Sequence, residues 1–576
     1  MRDLVRLLRL GGPARPAFAL GALLALIVVL ANVALLGLAG WFIAAMAAAG
    51  LAGGIINYYL PAAGIRAFAL VRTGGRYVER LVNHHATLKL LSHLRVWVYA
   101  RIRPLAPAVL DRYRKGDVLT RLVANVDALD NAWLRVFSPM AVAALASLAV
   151  CGFLALYSAP VAWLDLALLA SIGLALPVAL QALGRRPATR AAAVRGTMQA
   201  DLTEDFAGLA ELTVLGVLPA TRSRCTAASR DLARAQDRGL VLEAVADGLT
   251  VLCTGTAVAL TWVLGARLVR AGHASPLLLP VLIFIVLASV EAVQALPAAF
   301  RALGDTLAAA RRIFALADEK PVVVEAPAPV RRVARAALEF RNVGLCYPGA
   351  RRSALEGATF AVPAGAELAI VGPSGAGKSS ISRLALRFYE ASAGTVLLGG
   401  QPVAAYALDA LRTQFAWAPQ STRLFSTSIR ENLRLAAPRA TDADLWRALD
   451  AAAFAGEVHG FDGGLDHFVG AGGMALSAGQ ARRLALARAW LSPAPILLLD
   501  EPTEGLDAGT ARTIAKHFIC GRGRRSLIWI THQPLGLEDM DQMLVLDGGR
   551  IVERGAAAAL SASDGFYRRM AERIDC

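Results

Sequence analysis

Gly372-Pro373-Ser374-Gly375-Ala376-Gly377-Lys378-Ser379 follows the apolar run Glu367–Val371 and precedes a helical pattern from Ser380. A strand, a G-x-x-x-x-G-K-S loop and a helix in that order form a phosphate-binding loop. Its glycines let backbone N–H groups approach phosphate oxygens, and the helix N-terminus adds partial positive charge. Gly372, Ser374, Gly375, Gly377 and Ser380 are the candidate cradle. Lys378 is the candidate contact to the β- and γ-phosphates, and Ser379 a ligand for Mg²⁺. Downstream, Leu497–Leu499 reads as a buried strand ending in Asp500-Glu501. Asp500 is placed to hold Mg²⁺ through water, and Glu501 to orient or deprotonate an attacking water.

Between these motifs lies Leu476-Ser477-Ala478-Gly479-Gln480. This element resembles the signature of ATP-binding cassette (ABC) ATPases, in which it closes on nucleotide held by a second cassette. The resemblance implies a dimer and gives roles to further residues. Ser477, Gly479 and Gln480 would grip the partner's ATP, with Ser477 a good N-cap. Tyr347 would stack on adenine, Gln420 would contact Mg²⁺ and water, Asp507 would lie in a loop crossing the dimer interface, and His532 would bond the γ-phosphate. The usual glycine at position 478 is Ala478 here. If that backbone needs a positive φ, alanine costs roughly 1–2 kcal/mol, and the site built on this signature would be the slower one.

Working outward, the first half is too apolar for a soluble domain. The chain has 576 residues, 56% of them hydrophobic, a mean hydropathy of +0.50 and a formal charge of +16. The arginines flank apolar runs, which favours a membrane protein facing anionic lipid over a nucleic-acid binder. Six spans are expected, near residues 17–47, 56–81, 136–157, 161–183, 242–264 and 277–296, each near or above the ~20 residues a bilayer needs. Residues 89–135 and 185–238 are long, charged and helical in pattern, and suit the cytoplasmic side. The expected organisation is a six-helix transmembrane domain with intracellular arms over 1–318, a Pro/Ala/Val-rich linker over 319–337, and an α/β nucleotide-binding domain over 338–576. The six cysteines form no metal-ligand spacing and imply no disulfide framework.

Fusion of six spans to one cassette resembles an exporter half-transporter. The chain is similar over its length to CydC-type subunits of heterodimeric bacterial inner-membrane transporters. The resemblance rests on Leu36–Phe42, Tyr59–Arg66, Arg72–Thr87, Val118–Asp130 and Asp500–Asp507. In the last stretch Glu504-Gly505 replaces the Ser-Ala of most ABC exporters. The resemblance implies a CydD-type partner, export of cysteine and glutathione to the periplasm, and support of cytochrome bd assembly. Haem is the alternative cargo, or the ligand of a haem-responsive ATPase. Independently, Arg72, Arg76, Arg80 and His84 are spaced by four and form a drifting helical stripe. Such a stripe would attract carboxylates of glutathione or of haem b, with His84 a candidate axial ligand. The alternative is that the stripe faces lipid headgroups. Glu291 is a further intramembrane charge, placed to line a pathway or pair with an arginine.

Overall fold

The computed structural model describes residues 2–113, 124–333 and 336–572. Val118–Val123 of one stretch quoted above, and Cys576, lie outside them. The chain divides into two compact units: residues 1–103 with 113–319, and residues 104–112 with 320–576.

The first unit is helical. Among the described residues, five of its helices are long and apolar enough to cross a membrane: Arg15–Ala52, Val126–Tyr157, Ala159–Gly184, Leu218–Arg270 and Leu278–Ala317. The span expected at 56–81 falls instead inside the helix Tyr59–Ile102. Arg66, Arg72, Arg76, Glu79 and Arg80 dilute its apolarity, so it does not join the five on composition. Its 44 residues still measure about 66 Å at 1.5 Å per residue, and it packs along the helix Arg15–Ala52. The 53-residue helix Leu218–Arg270 is about 80 Å long, more than twice the ~30 Å hydrocarbon layer. It therefore continues well beyond the bilayer as an arm. The apolar helices pack through Val33, Leu154, Leu168, Ile172, Leu282 and Val286. One carboxylate is sealed among them. Asp165 is fully buried and accepts hydrogen bonds from Ser289 Oγ at 2.7 Å and, more weakly, Cys151 Sγ at 3.7 Å.

The second unit is α/β. Its strands are β1 (Leu338–Leu345), β2 (Leu355–Val362), β3 (Glu367–Val371), β4 (Ala393–Leu398), β5 (Gln401–Pro402), β6 (Phe415–Ala418), β7 (Ile496–Asp500), β8 (Ser526–Thr531), β9 (Gln542–Asp547) and β10 (Arg550–Gly555). They form an antiparallel sheet of order β2-β1-β4-β5 and a second sheet of order β10-β9-β3-β8-β7-β6. In the second sheet β9, β3, β8, β7 and β6 run parallel. Parallel strands are covered on both faces, and every residue of β3, β7 and β8 is buried. The C-terminal ends of β3, β7 and β8 lie side by side, with Val371 opposite Thr531 and Asp500 opposite Ile530. That register gathers the phosphate loop, Asp500-Glu501 and His532 at one edge.

The Pro-rich connector is not a free tether. Val330 N–H donates to Ala405 O, Val330 O accepts from Ala407 N–H, Arg387 Nη2 donates to Val324 O, and Glu325 Oε1 accepts from Leu408 N–H. The segment Pro104–Arg112 also belongs to this unit, with Ala108 buried in the same apolar cluster as Phe340, Tyr389 and Leu411.

Candidate functional site

The phosphate loop turns sharply out of β3 and into the helix Lys378–Ala385. Gly377 sits at φ 96°, and a Cβ there would run into Ala354 O, so only glycine fits. Pro373, Ser374 and Gly375 are exposed, which leaves their backbone open to a ligand. Lys378 is buried, and its Nζ donates to Gly372 O at 2.8 Å and Pro373 O at 3.0 Å. It also lies 3.5 Å from Glu501 Oε1. Both side chains are only 6% exposed, so little water screens this pair.

Asp500 is fixed by two hydroxyls of the loop helix. Ser379 Oγ donates to Oδ1 at 3.1 Å and Ser382 Oγ to Oδ2 at 3.3 Å. Burial pushes its carboxyl above the ordinary range; the Ser379 hydrogen bond pulls it down, the Glu501 charge pushes it up, and Ser382 and Lys378 pull it down. Oxygen donors in this arrangement suit Mg²⁺, which prefers carboxylate and phosphate oxygens to an all-protein cage. The described residues contain no cluster of three or more His, Cys, Asp and Glu side chains that could hold a metal ion by themselves.

Glu501 occupies the left-handed region at φ 51°, a conformation that costs a non-glycine residue roughly 1–3 kcal/mol. The surroundings impose it. Glu501 N–H donates to Ile530 O at 2.8 Å, and Oε2 accepts from the His532 N–H at 3.1 Å and lies 2.9 Å from His532 Nδ1. The carbonyl of Glu501 accepts from Arg482 Nη1.

Arg482 escaped the sequence reading. Its guanidinium also donates to Gln420 O and to Glu504 Oε2, each at 3.2 Å. One side chain on the signature helix thus ties together the Glu501 backbone, the Gln420 loop and Glu504. The sequence carried half of this signal, since Glu504 was already conspicuous. Ser382 was also missed.

The signature is well ordered as a helix start. Ser477 caps Ala478–Leu491 with a full capping box: Gln480 N–H donates to Ser477 Oγ, and Ser477 N–H to Gln480 Oε1. Ala478 is the first helical residue and is not among the positive-φ positions. Alanine is therefore unstrained there, and the expectation of a slower site loses its backbone basis. Gly479 has a different constraint, because a Cβ would meet Leu506 at 3.2 Å. Asp507 caps the helix Ala508–Gly521 through Thr510 N–H at 2.9 Å and Thr510 Oγ1 at 2.7 Å. Those bonds hold its carboxyl below the usual range, the backbone one most strongly. Tyr347 leans over the loop helix; its Oη is 2.9 Å from Ser380 Oγ and accepts from Arg383 Nη1 at 3.2 Å. Gln420 is exposed.

In the membrane unit the basic stripe splits. Arg72 Nη1 donates to Asn32 Oδ1 at 3.0 Å, and Arg76 Nη2 to Glu291 Oε1 at 3.0 Å. Asn32 Nδ2 donates to the other Glu291 oxygen. Arg80 and His84 are exposed and stand outside this hydrogen-bonded cluster. Spacing by four advances the face by about 40° per step, so a stripe that starts against neighbouring helices has turned away by its end.

A helical membrane unit with long arms, continuous with an α/β cassette carrying phosphate loop, signature and acidic strand end, defines an ABC exporter subunit. Two family models agree: "ABC transporter transmembrane region" matches residues 18–291, and "ABC transporter" matches residues 355–504. A solved bacterial Atm1-family ABC exporter with ATP bound superposes with a TM-score of 0.83 at 26% identity, covering 97% of this chain and 98% of that one. The glutathione/L-cysteine transport system ATP-binding/permease protein CydC of Escherichia coli K12 is 38% identical over 98% of this chain and 99% of its own length. CydC of Haemophilus influenzae is 33% identical over the full length of both. A lipid A-core flippase of Xanthomonas campestris is 42% identical, over only 46% of this chain and 45% of its own. The chain belongs to the CydC family of ABC transporter ATP-binding/permease proteins. It is a multi-pass membrane protein that binds ATP and Mg²⁺ and couples ATP hydrolysis to transport.

Proposed function

We propose that this chain is one half of a heterodimeric exporter that moves cysteine and glutathione from cytoplasm to periplasm, paired with a CydD-type subunit and supporting cytochrome assembly. The observation that carries this is the likeness to two relatives named for glutathione/L-cysteine transport, which runs through the membrane half as well as the cassette. At the ATP site, the amides of Gly372–Ser380 and the Lys378 ammonium bind the phosphates, while Tyr347 stacks on adenine. Ser379, Asp500 and Gln420 would hold Mg²⁺, which supplies charge neutralisation at the phosphates. Glu501 orients and deprotonates the attacking water, and His532 steadies Glu501 and donates toward the γ-phosphate. Ser477, Gly479 and Gln480 face the partner's nucleotide, and Asp507 lies at that interface. Uptake of labelled cysteine and glutathione into inverted vesicles containing both subunits tests the reading. ATP-dependent accumulation supports it; intact ATPase with no accumulation sinks it.

A second reading has its own observation. Arg80 and His84 are exposed one turn apart, with His85 beside them, a pairing of guanidinium and imidazole that suits the propionates and iron of haem b. Haem absorbance that persists unchanged in His84→Ala would remove it.

A further inference from the structure

Two consecutive helices, Arg15–Ala52 and Tyr59–Ile102, and the distant helix Leu278–Val293 close one polar loop in the membrane unit. Arg72 binds Asn32, Asn32 binds Glu291, and Glu291 binds Arg76. Pairing offsets the expense of charge at membrane depth, but neutrality alone favours an enclosed pair. This pair is open: the Arg76 and Glu291 side chains are 48% and 30% exposed. Glu291 and Asn32, though not Arg76 or Arg72, also line an open cleft of about 620 Å³, whose wall includes Leu36, Thr250, Thr254 and Gln294; Arg76 reaches it through its bond to Glu291. That volume lies in the range of small-molecule sites, which combine apolar walls with a few convergent polar groups.

We propose that Arg76 and Glu291, braced by Asn32 and Arg72, recognise the zwitterionic α-amino-acid group of the cargo. The cargo carboxylate takes the Arg76 guanidinium, and its ammonium takes Glu291. The exchange is balanced, because each protein charge that loses its partner gains one of the same sign. A cargo with only a carboxylate leaves Glu291 without a counter-ion, and one with only an amine leaves Arg76 without one; the penalty arises as the bound cargo displaces water from the half-open pair. A dianionic porphyrin meets Glu291 as a like charge. Cysteine and glutathione share the required group, since the γ-glutamyl end of glutathione keeps its α-amine and α-carboxylate on one carbon. One site thus reads both thiols and ignores the rest of the molecule. This inference rests on the export reading for its cargo, but its chemistry concerns the zwitterion rather than the thiol.

The test uses the intact two-subunit transporter in proteoliposomes, with cargo-stimulated ATPase and ATP-dependent uptake as readouts. The probes are cysteine, serine, 3-mercaptopropionate, which lacks the amine, cysteamine, which lacks the carboxylate, and haem. Cysteine should exceed both truncated thiols by about tenfold or more, as expected for a site whose polar groups would otherwise go unpaired. Glu291→Gln should remove the preference for cysteine over 3-mercaptopropionate, and Arg76→Gln the preference over cysteamine. Equal response to cysteine and both truncated thiols in the unaltered protein overturns the proposal without any variant. So does a Glu291→Gln protein in which all three fall together, which is the behaviour of a structural pair. Serine stimulation without thiol uptake keeps the zwitterion site and sinks thiol export. Stimulation by haem alone overturns both.

Discussion

Two charge clusters in this chain contain the same elements, a cation facing a carboxylate, and are built in opposite ways. At the nucleotide site Lys378 and Glu501 are almost wholly buried and are held by backbone groups: Gly372 O and Pro373 O of the phosphate loop, Ile530 O of β8 and the His532 N–H just beyond it. In the membrane unit Arg76 and Glu291 meet across 215 positions of sequence, remain half open, and are steadied mainly by the Asn32 amide. The first arrangement fixes geometry in advance, as preorganised electrostatics require. The second leaves a pair that a ligand of matching charges can enter. The difference predicts sharp loss on any change at the first cluster and altered preference at the second.

The largest expected effect is at Glu501. Glu501→Gln keeps the size and the hydrogen bond from His532 N–H but removes the base. Hydrolysis should fall by about 10²–10⁴-fold, the range for a positioned general base, with ATP binding retained. Measuring turnover and nucleotide affinity on the two-subunit protein checks it. A loss of less than about tenfold would mean that this chain's own site is not the working one.

Arg482 comes next, and it tests whether the clamp or the base alone makes the site. It touches no nucleotide position directly, so it is a positioning residue. Arg482→Ala should lower kcat by about tenfold, equivalent to ~1.4 kcal/mol, while KM for ATP stays nearly constant. Arg482→Lys cannot span Glu501 O, Gln420 O and Glu504 Oε2 together and should recover only part. Glu504→Gln combined with Arg482→Ala should be no worse than Arg482→Ala alone, because neighbours in one network are not additive. Additive losses would dissolve the clamp.

The cassette was the more legible half for a physical reason. A phosphate loop, a strand-end carboxylate pair and a capped signature each work through neighbours in sequence, so spacing alone places Lys378 beside Ser379 and Asp500 beside Glu501. The parallel order β3-β8-β7 then brings separate motifs together; the sequence pattern indicated an α/β domain but not that strand order. Arg482 is different. Its partners lie 19, 22 and 62 positions away, and nothing local marks it. The membrane half shows the same limit more strongly. Apolar runs found the spans, but hydropathy could not decide the helix Tyr59–Ile102, whose Arg72 and Arg76 bond to neighbouring helices. The four-residue stripe was visible, while its division between Arg76 and Arg80 depends on which face meets Asn32 and Glu291. Asp165, buried against Ser289 and Cys151, left no pattern at all.

A smaller effect separates metal binding from catalysis. Because burial raises the Asp500 carboxyl, it takes up its proton on acidification sooner than an ordinary aspartate would. Only the ionised form ligates Mg²⁺. The apparent Mg²⁺ affinity in ATP hydrolysis should therefore begin to fall above the usual aspartate range as pH drops, and Asp500→Asn should abolish that segment of the profile. For folding the sign reverses. The ionised carboxylate weakens the fold above its raised pKa, and protonation relieves it as pH falls through that value. A Mg²⁺ dependence that stays flat until the ordinary range would place Asp500 in a wetter setting than the one formed by Ser379 and Ser382.

The smallest effect is expected where the sequence looked most irregular. Ala478 departs from the glycine usual in the signature, yet it is the first residue of a helix with ordinary backbone angles. Glycine there would gain no conformation that the position uses and would lose helix propensity, at most ~0.5–1 kcal/mol. Ala478→Gly should leave ATP turnover unchanged within about twofold and lower thermal stability slightly. Gly479→Ala is the matched control, because its new Cβ meets Leu506 at 3.2 Å and presses on the segment between Glu504 and Asp507. It should slow hydrolysis more than Ala478→Gly does. A several-fold gain from Ala478→Gly would mean that the methyl itself obstructs closure on the partner's nucleotide. The asymmetry between the two composite sites would then come from side-chain bulk rather than from backbone strain.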